Sequence, residues 1–193
     1  MSRETNISSE RIRELMSEPI ALAPYDPQWP ERYAEAVIYL QRVLPAGLVL
    51  RIDHIGSTAI PGCSAKPVID VQVEVTSLER VRMEVVPVLE ADGHEFIWRP
   101  TIGEEAPFYA WFIRRNAEGR RTHHFHCVEP DAASEDRRLF RDALRADPGL
   151  VAGYEALKRE LSEAHPNDRA AYTKGKTRFV TEVVANARGG AIL

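Results

Sequence analysis

The residues in this sequence best suited to chemistry lie in three stretches: "DHIGSTAIPGCSAKPVIDVQVEV" (53–75), "THHFHCVE" (122–129) and "DRAAYTKGKTRFV" (168–180). In the first, an apolar strand stops at Gly56-Ser57. Glycine lets a phosphate come close to the backbone N–H groups of a turn, and a serine hydroxyl adds a donor. Lys66 offers the same anion a positive charge. The strand then resumes with Asp70. Alternation puts Asp70, Gln72 and Glu74 on one face and Ile69, Val71, Val73 and Val75 on the other. Asp70 can hold a Mg²⁺ ion or accept a proton. Gln72 can ligate through its carbonyl but brings no charge, whereas two-metal phosphoryl transfer needs several carboxylates.

In the second stretch, His124 and His126 share a strand face with Thr122 and Val128, while His123, Phe125 and Cys127 point the other way. A His-x-His pair of this kind can bind a transition metal, donate to phosphate, or exchange protons near neutral pH. In the third, Arg169, Tyr172 and Lys176 form one polar stripe at helical spacing. They are donors for a polyphosphate, or a base can stack on Tyr172. Arg137, Arg141 and Arg145 form a further stripe. Arg138 and Arg141, beside Leu139, Phe140 and Leu144, are expected to turn inward.

Strands must position these groups. "LVLRIDHI", "PVIDVQVEV", "HEFIW", "FYAWFIRR" and "RTHHFHCVE" are the candidates, rich in β-branched and aromatic residues. Helices are expected over "ERYAEAVIYLQRVL", over 78–91 with an interruption at Pro87, and over "SEDRRLFRDALRAD" with Ser134 as N-cap. "GLVAGYEALKRELSEAH" and the stretch after the N-cap Asp168 complete the set. "PYDPQWP" reads as an aromatic clamp of Tyr25 and Trp29 that staples the chain to the sheet. The order of elements predicts an α+β domain with a mixed sheet. Residues 1–18 form an N-terminal arm and 19–193 a single domain.

The 193 residues carry a net charge of −4 and two cysteines. A chain of this charge is not drawn to nucleic acid or anionic membranes as a whole. Neither a disulfide framework nor a CxxC pair is possible, and no apolar run reads as a signal peptide or membrane span. The expectation is a cytoplasmic protein with reduced thiols.

Gly-Ser followed about a dozen residues later by an acid on a strand resembles the nucleotidyltransferase superfamily. The longer motifs "PYDPQWP", "HIGSTAIPGCSAKPVIDV", "THHFHCVE", "FRDALRADP" and "YEALKRELSEAHPNDRAAYTKGKTRFV" resemble, in order, those of its GrpB branch, over about residues 20 to 187. The resemblance implies a nucleotidyltransferase-like mixed sheet flanked by helices, with a C-terminal helical segment. It implies phosphate contacts from Gly56, Ser57, Lys66, Arg169, Tyr172 and Lys176, and Mg²⁺ at Asp70 and Gln72. It also places His124 and His126 opposite Asp70 as catalytic partners, and an ATP-like nucleotide or phosphorylated metabolite as ligand. Some members of the family are joined to dephospho-CoA kinase. Gln72 stands where the superfamily has its second acid. The expected function is therefore nucleotidyl transfer or a phosphate-activated ligation, with a non-catalytic nucleotide- or coenzyme-binding module as the alternative.

Overall fold

The structure, a computed structural model, describes residues 6–100 and 108–190. Five strands form one sheet: β1 (Val49–Ile55), β2 (Ile69–Val75), β3 (Glu95–Pro100), β4 (Phe108–Arg115) and β5 (Arg121–Val128), in the order β1-β2-β5-β4-β3. β2 and β5 run parallel, and every other neighbouring pair is antiparallel. β2 is covered on both faces, and all of its residues except Asp70 are buried. That double burial is what its β-branched run requires.

One face of the sheet packs against α2 (Trp29–Val43) and the helical segment α3 (Leu78–Arg80), a π turn (Val81–Val85) and α4 (Val86–Ala91). Leu40, Val71, Val73, Val81, Leu89, Phe112 and Phe125 belong to the core between them. The interruption expected at Pro87 is the π turn. A proline cannot donate a helical hydrogen bond, and just ahead of it Val86 N–H reaches back to Val81 O. The Tyr25 and Trp29 rings meet edge to face at 5.4 Å, as the clamp reading expected.

The opposite face carries the polar residues. At one end, α1 (Ser9–Ser17) places Leu15 in a cluster with Ile97, Trp111 and Ile113. The first five residues of the N-terminal arm lie outside the described residues. At the other end, α5 (Ala132–Ala146) lies over β1 and β2. Phe140 and Leu144 of α5 join Tyr154 of α6 (Pro148–Ala164) and Val183 and Val184 of α8 (Thr177–Gly190) in a second core. Ser134 is not the N-cap of α5. The helix starts one turn earlier under Asp131, whose carboxylate accepts from Ser134 N, while Ser134 Oγ closes the capping box. Asp168 does cap α7 (Arg169–Gly175), but that helix breaks before α8 instead of running on, and Lys176 sits at the junction. Among the described residues no helix is long and apolar enough to cross a membrane.

Arginines of α5 clasp the polar edge of β1 and β2. Arg138 pairs with Glu74, and Arg141 Nη1 donates to Asp53 Oδ1 at 3.2 Å and His54 O at 3.0 Å. The inward turn expected of Arg138 and Arg141 is the one found. Charges buried at this depth hold because each meets an opposite charge and further hydrogen bonds.

Candidate phosphate and metal site

Parallel pairing of β2 with β5 sets Asp70 beside His124 and Gln72 beside His126. The side chains follow from that register. Asp70 Oδ1 lies 2.9 Å from His124 Nδ1 and 3.3 Å from His126 Nε2, so both imidazoles donate to one carboxylate oxygen. Burial alone would raise the Asp70 carboxyl, but the two N–H donors outweigh it and hold it well below the usual carboxylate range. Burial pushes His124 down to about 4 and lowers His126 too, against the pull of Asp70. At neutral pH the cluster is one carboxylate flanked by two neutral rings.

Gly56 brings the preceding turn against this carboxylate. Its backbone has φ 73° and ψ −177°, a region open in practice to glycine alone. A Cβ at this position would lie 2.6 Å from Asp70 Oδ2. The glycine therefore serves the approach of the turn to Asp70. Ser57–Ala59 then form a single 3₁₀ turn. Gly56, Ser57, Lys66, Asp70, His124 and Lys176 line one cavity of about 150 Å³. The separate sequence stretches thus converge on one place.

The two lysines are the unusual feature of that cavity. Among the described residues neither ammonium has a hydrogen bond or ion pair. Each instead lies over the ring of Tyr172, Lys66 at 5.4 Å and Lys176 at 4.6 Å from its centroid. Burial, then the nearby Arg169, pushes Lys66 down to about 8. Burial, then Lys66, pushes Lys176 down to about 7. Two cations held together out of bulk water are in want of an anion.

Other expected residues are engaged differently. Tyr172 is 1% exposed, so no base can stack on it; it supports the lysines instead. Arg169 turns away to the N-terminal segment, where its Nε donates to Glu18 O at 3.0 Å and its Nη2 lies 3.5 Å from the Glu18 carboxylate. Gln72 is fully buried. Its Oε1 accepts from Arg137 at 2.9 Å and its Nε2 donates to Ser134 O at 3.1 Å. That amide is not available to a metal, and Glu74 is likewise held by Arg138. The Mg²⁺ site expected at Asp70 and Gln72 is therefore left with one carboxylate and two imidazoles. Mg²⁺ demands oxygen donors in octahedral array, and this set does not fit it.

Tyr154 and Thr58 also line the cavity, and sequence reasoning gave neither a role. Burial raises the Tyr154 phenol and the nearby Ser57 side chain opposes that rise, while Thr58 Oγ1 lies 3.0 Å from His54 Nε2. Tyr154 stands one helical turn before Lys158, which is 1% exposed and donates to Cys63 Sγ at 3.0 Å. A tyrosine and lysine at i, i+4 in an otherwise ordinary amphipathic helix were the available signal.

Residues 19–186 match the family model described as GrpB protein. A UPF0157 protein of Pseudomonas aeruginosa is 36% identical over 168 residues, 87% of this chain and 67% of that one. A protein of Mycolicibacterium paratuberculosis named dephospho-CoA kinase is 31% identical over 183 residues, 85% of this chain but 45% of that one. The chain thus spans two thirds of the first relative and less than half of the second. The crystal structure of the conserved protein GrpB from Enterococcus faecalis matches with a TM-score of 0.73 at 30% identity, over 89% of this chain and 99% of that one. Motif order, sheet topology and these likenesses agree: the chain has the nucleotidyltransferase-like α+β fold and belongs to the GrpB family.

Proposed function

We propose that this chain binds a nucleotide or phosphorylated metabolite by its phosphate, in the cleft between the Gly56-Ser57 turn and Lys176. One observation carries the reading: Lys66 and Lys176 share a small cavity with a serine hydroxyl and have no ion pair among the described residues. A phosphate is the ligand whose charge and acceptor oxygens match such a set. The cavity of about 150 Å³ is smaller than the roughly 300–1,000 Å³ that encloses a whole ligand. It suits a phosphoryl group, with the remainder of the molecule lying outside. The likeness to part of proteins named dephospho-CoA kinase favours nucleotide-like or coenzyme-precursor ligands.

Within the cleft, Ser57 and the lysines bind and orient the phosphate. Asp70 stays anionic and fixes both histidines. A nucleotidyl transfer supported by two Mg²⁺ ions is not what these residues fit, because Gln72 and Glu74 are already engaged by Arg137 and Arg138. That engagement favours a second reading, a binding module whose ancestral metal face has become structural.

Calorimetry with pyrophosphate, nucleotides and coenzyme A precursors, in chelator, tests the binding. Lys66→Met or Lys176→Met should each weaken binding by about 10- to 100-fold, the loss of one charge-assisted contact. Absence of heat with every phosphorylated compound would remove the reading.

A further inference from the structure

The mismatch with Mg²⁺ has a positive counterpart. We propose that Asp70, His124 and His126 form a three-ligand site for one divalent transition ion of the zinc class, open toward the cleft. One ligand atom from each residue lies within 4.8 Å of the others. Bonds of about 2.0–2.1 Å at tetrahedral angles would set ligand atoms roughly 3.3 Å apart. The two separations from Asp70 Oδ1, 2.9 Å and 3.3 Å, are close to that spacing, and the two imidazole nitrogens lie within 4.8 Å of each other.

The donor set selects the metal class. Two imidazole nitrogens and one carboxylate oxygen suit borderline ions such as Zn²⁺, Co²⁺ or Fe²⁺, not hard ions. Thiolate-seeking ions find no sulfur here: Cys127 points to the opposite sheet face, and Cys63 is bonded to Lys158. All three ligands stand on β2 and β5 in the middle of the sheet, where the backbone is best held. Asp70 and His124 also line the cavity. Three protein ligands beside an open space are the pattern of a catalytic zinc site, in which water or substrate takes the remaining position.

Two details set its properties. Nδ1 of His124 donates to Asp70 Oδ1, so an ion bound there requires that proton to move to the buried Nε2, which has no hydrogen-bond partner. The same lack of an outer partner leaves the site without the support that tightens structural zinc sites, so the ion should exchange with chelator. Lys66 and Lys176 oppose a bare cation. An anion in the cleft removes that opposition, so anion and metal should each tighten the other's binding by an equal factor. This coupling, unlike the metal site itself, rests on the phosphate reading.

The test uses the full chain stripped with chelator and free of phosphate. Titration with Co²⁺ should give visible bands of a four- or five-coordinate ion, saturating at one per chain and displaced by Zn²⁺ but not by excess Mg²⁺. Asp70→Asn and His126→Gln, checked for folding by circular dichroism, should each weaken binding by at least about 100-fold, beyond the 10–100-fold typical of outer partners. His165→Ala, outside the cluster, should leave it unchanged. Failure of the wild-type chain to bind Co²⁺ or Zn²⁺, or equal affinity in Asp70→Asn, would overturn the site. Metal binding that pyrophosphate leaves unchanged would keep the site and remove the coupling. Pyrophosphate binding in chelator, with no metal binding under any condition, would spare the phosphate reading alone.

Discussion

Gly56→Ala is the most revealing single change in this cleft. Two costs come together there. The backbone at φ 73° and ψ −177° is strained for any residue with a Cβ, at about 1–3 kcal/mol. The new methyl would also sit 2.6 Å from Asp70 Oδ2, against a comfortable contact of about 3.5 Å. Asp70 must then retreat by roughly 0.9 Å. Its Oδ1 accepts from both histidines at 2.9 Å and 3.3 Å, so that retreat weakens hydrogen bonds to a charged group worth about 1.5–3 kcal/mol. The sum is about 2.5–6 kcal/mol, or on the order of 10 °C in melting temperature for a chain this size. Denaturant unfolding of Gly56→Ala, Asp70→Ala and the double variant separates the two costs. The backbone cost should persist in both backgrounds, while most of the contact cost of about 1.5–3 kcal/mol should go once Asp70 is truncated, leaving only the 3.2 Å approach to its Cβ. Equal destabilisation by Gly56→Ala with and without Asp70 would refute the claim that this glycine exists to seat the turn on the carboxylate.

Two further outcomes concern pH. Lys66 and Lys176 titrate near 8 and 7, so a phosphate ligand must meet protonated lysines. Its affinity should fall as pH rises from 7 to 9, with proton uptake on binding visible as buffer-dependent calorimetric heats; a flat profile would exclude these lysines as the phosphate contacts. His54, His123 and His124 are each held near 4 in the fold, below the ordinary histidine value of about 6.5. Between those values the unfolded chain binds more protons than the folded one, so stability is full above about pH 6.5 and is lost as pH falls toward 4. Denaturant midpoints measured from pH 7 to 4 should drop steadily, and midpoints unchanged down to pH 5 would contradict the burial of these rings.

Much of the fold was legible because its signals are local. Alternation in β2 and the His-x-His stretch of β5 gave strand faces correctly, since a strand's period is two and a buried face tolerates no slip. The boundaries that went astray were decided by competition between neighbours. Asp131 displaced Ser134 as the cap of α5 because it completes a reciprocal box. α7 ended at Gly175, a poor helix former packed closely against Leu161, before α8 begins. Site residues divided along the same line. Gly56, Ser57, Lys66 and Asp70 met the histidines because they sit at or near the ends of β1 and β2, and the parallel register of β2 with β5 sets His124 and His126 beside them. Arg169 and Tyr172 shared a helical stripe with Lys176, yet Arg169 went to Glu18 and Tyr172 beneath the lysines. Helical spacing says which residues are neighbours, not what else lies within reach of a long side chain.

Gln72 shows how a buried amide can tie this face of the sheet to α5. In register it stands beside His126 and one strand step beyond Asp70, where a second carboxylate would complete an oxygen cage. A carboxylate there would lie beneath α5, close to Glu74 and Asp53, and would have to share Arg137, Arg138 and Arg141 of that helix with them. With glutamine, Arg137 bonds the amide oxygen, Ser134 takes the amide hydrogens, and Arg138 and Arg141 remain for Glu74 and Asp53. Each buried polar group on this part of the sheet then has a partner from α5, and the helix is locked on the strands that carry Asp70. Glutamine at this position thus leaves α5 clasped to the strands by arginine contacts. What remains for chemistry is the end of the sheet that α5 does not cover, where Asp70 and His124 meet the cavity beside His126, with two lysines that have no ion pair among the described residues.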